Sequence, residues 1–97
     1  MPTWISLVSL TDQGIKNIKQ APERLEEAIA GIEEVGGELV DFYMVMGKYD
    51  YVVIVKGPSD EAAMTYLMGL GAAGNLRTTT LKAFTREEFE GMVSQMP

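Results

Sequence analysis

The sequence predicts a small α+β domain of order β-α-β-β-α-β with one further helix at its end. Three observations carry this. Four runs rich in β-branched and aromatic residues alternate with stretches whose apolar residues recur at helical spacing. The second and third runs are separated by a short connection around Gly47, the spacing of a hairpin. The 97 residues are 46% apolar and 23% charged, the length and composition of a single folded domain, 1–97, rather than of a disordered chain.

The first strand is Thr3 to Leu10, a run of Trp, Ile, Leu and Val closed by Thr11-Asp12 and Gly14. Thr11 or Asp12 caps a short helical turn through Ile15 and Ile18. Ala21-Pro22-Glu23 restarts a helix, since proline at the first helical position misses no amide partner. Leu25, Ala28, Ile29, Ile32 and Val35 make its apolar stripe, and Gly36-Gly37 ends it. Strand two is Glu38 to Met46, and Gly47-Lys48-Tyr49 turns the chain into strand three, Tyr51 to Val55. Gly57-Pro58-Ser59-Asp60 breaks the strand and supplies caps for a helix from about Asp60 to Gly71. Its stripe is Ala63, Tyr66, Leu67 and Leu70. After the loop Gly71 to Asn75, strand four runs from Leu76 to Phe84, its three threonines favouring extended backbone. Thr85 and Glu88 form a capping box ahead of a last amphipathic helix bearing Phe89, Met92, Val93 and Met96. The element order is that of the ferredoxin-like fold, an antiparallel four-stranded sheet in the order 4-1-3-2.

Two helices on one face of such a sheet leave the other face open, and its strands should then alternate apolar and polar. The third strand does not: Val52, Val53, Ile54 and Val55 are apolar on both faces. Covering about 600 Å² of such surface is worth about 15 kcal/mol gross, before the cost of association. The expected cover is a second copy packed face to face; the alternative is the last helix folded back over the sheet.

Composition excludes several classes of function. The chain has no cysteine and no histidine, so disulfides, thiolate chemistry, histidine bases and ordinary zinc sites are ruled out, and no metal or cofactor is expected. The net charge is −6, and the eight basic residues are scattered, which disfavours nucleic acid and anionic membranes as partners. No basic n-region precedes an apolar run and no apolar stretch is long enough to span a bilayer, so a cytoplasmic location is expected.

Gly47-Lys48-Tyr49-Asp50 resembles the glycine–tyrosine–aspartate signature of the GYD domain family. Thr3-Trp4-Ile5-Ser6-Leu7, Leu10-Thr11, Gly14-Ile15-Lys16, Arg77-Thr78-Thr79-Thr80-Leu81 and Ala83-Phe84-Thr85 resemble it as well, so the likeness runs through nearly the whole chain. The resemblance implies a dimeric α+β barrel and no established activity. The Gly-x-Tyr-Asp turn and threonine-rich fourth strand also look like the effector-binding domain of the leucine-responsive, feast–famine regulators. Those domains bind amino acids between subunits and normally carry a helix-turn-helix ahead of the first strand; this chain starts at strand one, which implies a stand-alone module.

Each candidate site residue has a functional and a purely structural reading. Asp50 either holds a ligand amine or hydroxyl at the mouth of the sheet or fixes the hairpin through backbone amides. Tyr49 either offers its phenol to a pocket or packs in the turn, and Gly47 serves backbone geometry. Arg77 and Thr79, two apart, share one sheet face, and Arg77 either binds a small anion or amino acid or pairs with a glutamate. Trp4, Ser6 and Tyr43 are expected to line the space between packed sheets, Trp4 as an anchor or a stacking platform. The paired glutamates are solvated helix faces, the methionines packing residues. Gly69-x-Gly71-x-x-Gly74 has dinucleotide-like spacing but lies at a helix end. Three functions follow. The first is a homo-oligomeric module binding a small polar metabolite at Tyr49, Asp50, Arg77, Thr79, Tyr43 and Trp4. The second is a cofactor-free enzyme of the monooxygenase or isomerase kind, with Asp50 as base and Arg77 or Tyr49 stabilising an anion. The third is an assembly unit without ligand.

Overall fold

The computed structural model describes the whole chain, Met1–Pro97. β-Branched and aromatic residues form four strands, β1 (Thr3–Leu10), β2 (Glu38–Met44), β3 (Tyr51–Lys56) and β4 (Leu76–Ala83). They pair throughout antiparallel in the order β2-β3-β1-β4, as the sequence predicts. The helices are α1 (Asp12–Lys16), α2 (Ala21–Glu34), α3 (Asp60–Ala72) and α4 (Arg86–Ser94), with a 3-10 turn at Ile18–Gln20 before α2. Their caps are the expected residues: Thr11 accepts from the Gly14 amide, Ser59 from the Ala62 amide, and Pro22 lies in the first turn of α2.

β3 runs one residue further than expected, to Lys56, and α4 ends before Met96, while two strands end short of expectation. β2 stops at Met44, two residues early, because the chain leaves the sheet at Val45 for a six-residue loop closed by Val45 N–H donating to the Asp50 carbonyl at 2.8 Å. Gly47 in that loop has φ +111, a backbone conformation that side chains resist. β4 stops at Ala83, since Phe84 lies beyond the end of β1, where no strand remains to pair with it.

The register sorts side chains onto two faces. Trp4, Ser6 and Val8 of β1 lie level with Val55, Val53 and Tyr51 of β3, and this set faces α2 and α3. Phe42 joins it and packs at a tilt against Tyr51 with ring centroids 5.0 Å apart. Ile5, Leu7 and Ser9 take the opposite face with Val52 and Ile54, and no helix covers them. Across that open face run two cross-strand rows, Tyr43–Val52–Leu7–Thr79 and Asp41–Ile54–Ile5–Leu81.

α4 does not fold back over the open face. Every one of its residues is exposed, Phe89 60% and Val93 49%. The chain therefore exposes 6821 Å², against about 5,500 Å² for a compact monomer of this mass. The excess exceeds the roughly 800 Å² that each partner contributes to a standard interface.

The capping box of α4 has both halves: Thr85 Oγ1 accepts from the Glu88 amide at 3.2 Å and Glu88 Oε1 from the Thr85 amide at 2.9 Å. These bonds hold the Glu88 carboxyl below its ordinary pKa. A depressed folded-state pKa means the box contributes above the unfolded value, about 4.3, and loses that contribution as pH falls through the folded one. Helical circular dichroism is expected to drop in that acid range, and the drop to vanish in Glu88→Gln, whose amide oxygen caps without titrating.

Candidate functional site

The candidate site lies at the end of the sheet where β1 outruns β3. β3 begins at Tyr51, but β1 continues through Ser9 and Leu10, so the Leu10 amide finds no strand carbonyl beside it. Asp50 supplies the acceptor: its Oδ2 takes the Leu10 N–H at 2.7 Å, and its own N–H donates to the Val8 carbonyl at 2.8 Å. Asp50 thus brackets Ser9 from one side. The turn role read for it is real, yet it engages a single carboxylate oxygen; Oδ1 has no partner within the chain.

Arg77 flanks Ser9 from the other side, since the register places it directly opposite on β4. Its Nη1 donates to the carbonyls of Leu76 at 3.0 Å and Gly71 at 3.3 Å. It has no carboxylate partner; the chain's ion pairs are Lys82–Asp60 and Arg86–Glu90. The expected alternative of an Arg77–glutamate pair is thus not formed, because the carbonyls at the end of α3 and the start of β4 are nearer. One nitrogen is engaged, which leaves most of the guanidinium fork free.

Thr79 follows Arg77 on the open face, and Tyr43 ends the same row on the far edge. The Tyr43 hydroxyl donates to Asp41 Oδ2 at 2.8 Å, and that bond, with the carboxylate's charge, raises its pKa. The phenol is a fixed donor spoken for by Asp41. Tyr49 is half-buried in the loop, with Lys48 Nζ 5.7 Å from its ring centre.

Trp4 and Ser6 are elsewhere. The sequence places them between packed sheets, but both face α2 and α3. Trp4 is 6% exposed and lies against Gly57, where a Cβ would come within 3.1 Å of its ring. Ser6 Oγ pairs with Thr80 Oγ1 at 2.8 Å on the same side. The predicted residues therefore divide: Asp50, Arg77, Thr79 and Tyr43 belong to the open face or its end, Trp4 to the helix side. Ser9, between the two charges, carried no sequence signal of its own; its place opposite Arg77 depends on the register. No three acidic side chains gather to hold a metal ion, and no helix is long and apolar enough to cross a membrane.

Residues 4–93 match the model of the GYD domain. The chain belongs to the GYD domain family. A Thermus thermophilus relative, the glutamine synthetase and cystathionine beta-lyase binding protein, is 34% identical over 86% of this chain and 88% of its own. Among solved structures, a feast or famine regulatory protein of M. tuberculosis complexed with L-methionine superposes with a TM-score of 0.65 at 25% identity, covering 88% of this chain and 51% of that one. The leucine response regulatory protein of M. tuberculosis superposes with a TM-score of 0.56 at 21% identity, over 87% of this chain and 51% of its own. The GYD domain thus spans about half the length of those two regulators. The second likeness bears on the fold alone.

Proposed function

We propose that this GYD domain is a regulatory module that binds a small amino-acid-like metabolite between copies packed sheet to sheet, and that it acts in the cytoplasm. The observation that carries the reading is a pair of opposite charges with unused bonding capacity on either side of Ser9: Asp50 Oδ1 and the free edge of Arg77. They are two strand spacings apart, about 10 Å, which a flexible arginine and a bound zwitterion can close. The carboxylate suits a ligand ammonium and the guanidinium a ligand carboxylate. In one copy Arg77 is exposed and Asp50 half-buried. A second sheet over Ile5, Leu7, Val52 and Ile54 would lower the dielectric around both, with Thr79 and Tyr49 at the edge of the enclosure. The methionine complex of the M. tuberculosis regulator supports the ligand class.

A second reading rests on α4. The Thermus relative is named for binding two enzymes, and the uncovered stripe of Phe89, Met92 and Val93, with Met96 just past the helix end, is a surface suited to a protein partner. The two readings combine in a sensor that presents α4 to an enzyme.

Calorimetric titration with amino acids tests the first reading. One member of the set is expected to bind in stoichiometric ratio to the subunit or to the dimer. Arg77→Ala should weaken it about 10- to 100-fold, as loss of a charge-assisted bond does. Asp50→Asn keeps an oxygen for the Leu10 amide and removes the charge, so it should fold and bind poorly. Absence of binding across amino acids and small organic acids would leave the enzyme-binding or pure assembly roles.

A further inference from the structure

We infer that the space between the sheet and helices α2 and α3 is a second binding site, for an uncharged and largely hydrocarbon ligand. It lies on the opposite side of the sheet from Asp50 and Arg77 and does not depend on the role proposed for them. The space has a volume of 680 Å³, within the ~300–1,000 Å³ of small-molecule sites. It is partly open to solvent, so a ligand has a way in.

The burial pattern agrees with it. Val53 and Val55 on the sheet, Leu25 and Ile29 on α2, and Leu67 and Leu70 on α3 all face one another across the layers. In a closed core such residues are inaccessible. Here each remains partly accessible, and no side chain of the chain is fully buried.

Tyr66 ties the two helices together. Its hydroxyl donates to the Ala28 carbonyl at 2.5 Å. Gly31 leaves room for its ring, since a Cβ there would come within 3.1 Å of it. The chemistry of the lining sets the ligand class. The charged residues around the space, Arg24, Glu27 and Lys56, are all partly or wholly exposed, and Arg24 is engaged by the Asn17 carbonyl. On the floor Ser6 and Thr80 share one hydrogen bond, so one hydroxyl proton of the pair is left to donate, and Thr78 and Asn75 add a hydroxyl and an amide to the lining. The rest of the lining is mostly apolar. It fits a largely apolar body carrying a carbonyl or ether oxygen.

Trp4, the chain's single tryptophan, stands in the wall and reports occupancy. Titrating the intact protein with 2-octanone is expected to shift its emission saturably, at one site per subunit. Ala63 lines the space from α3, so Ala63→Phe should abolish the response and melt no lower than the parent. A response that is absent or fails to saturate in the parent overturns the inference, as does an unchanged response in a folded Ala63→Phe. If that variant does not fold, the double variant Ser6→Ala, Thr80→Val decides. It should lower affinity for 2-octanone about 10-fold relative to n-octane; equal affinities for the two compounds in the parent, or no change of their ratio in the variant, overturn it.

Discussion

In the sheet-to-sheet assembly proposed above, Leu7→Glu is expected to leave a folded monomer. Leu7 sits between Val52 and Thr79 in the middle row of the open face. In one copy it is half-exposed, so a glutamate there can reach water and the single domain loses little. Its helix-side neighbours, Ser6 and Val8, are untouched. In a sheet-to-sheet assembly the same position is enclosed, and each partner brings a carboxylate to it. Burying an unpaired charge costs several kcal/mol per ion, and like charges across the interface add to that. Sedimentation should show the mass fall to one subunit while far-ultraviolet circular dichroism is retained. An unchanged oligomer would place the interface elsewhere, with α4 the next surface to test. Loss of the circular dichroism together with the mass would mean that Leu7 belongs to the core of the single copy.

The same face shows what the sequence makes legible and where it stops. The run Val52 to Val55 is apolar at every position, and a strand apolar on both faces belongs in the middle of a sheet; β3 is there. The alternation of β1 is equally plain. Which half of it meets the helices is not, because Trp4 with Val8 and Ile5 with Leu7 are both apolar sets. The deciding information is in β4. Arg77 cannot be buried unpaired beneath the helices, so the residue opposite it, Ser9, must point outward, and Leu7 and Ile5 with it. That argument needs the β1–β4 register, which no local pattern supplies. Asp50 illustrates the complement: a turn aspartate is legible, but its bond to the Leu10 amide depends on how far β1 runs past β3. The space under α2 and α3 leaves no mark in periodicity at all, since a stripe of Leu, Ile and Ala reads alike over a tight core and over a void. A ligand that fills this apolar space has a site on the folded chain and none on the unfolded one. Occupancy and folding should accordingly be strongly linked.

Gly14→Ala is expected to be the most destabilising single methyl that can be added to this chain. Gly14 is buried in α1, and a Cβ there would come within 2.2 Å of the Asn75 carbonyl oxygen and 3.1 Å of Leu10 Cδ2. Leu10 Cδ2 can rotate away; the carbonyl cannot. Asn75 O already accepts the Thr11 N–H at 3.0 Å, and Thr11 Oγ1 donates to the Gly74 carbonyl at 2.6 Å while accepting the Gly14 N–H at 3.1 Å. The start of α1 and the corner between α3 and β4 are thus stitched at two points around the spot where the methyl must go, and the Gly14 amide caps α1 on the same Thr11 hydroxyl. Relief requires breaking at least one buried bond and lifting α1, at a cost of about 3 kcal/mol or more. At this chain length that lowers the melting temperature by roughly 10 to 20 °C. The displaced corner carries the Gly71 and Leu76 carbonyls that position Arg77, so ligand affinity at the Ser9 end should fall in whatever fraction remains folded. Gly69→Ala gives the opposite sign from the same chemical change. Gly69 lies inside α3 with nothing within 4 Å of the added Cβ, and a helical glycine replaced by alanine gains about 0.5–1 kcal/mol. If both substitutions moved the melting temperature alike, the close approach of α1 to Asn75 would not be a feature of the folded protein, and the positioning of Arg77 by that corner would fall with it.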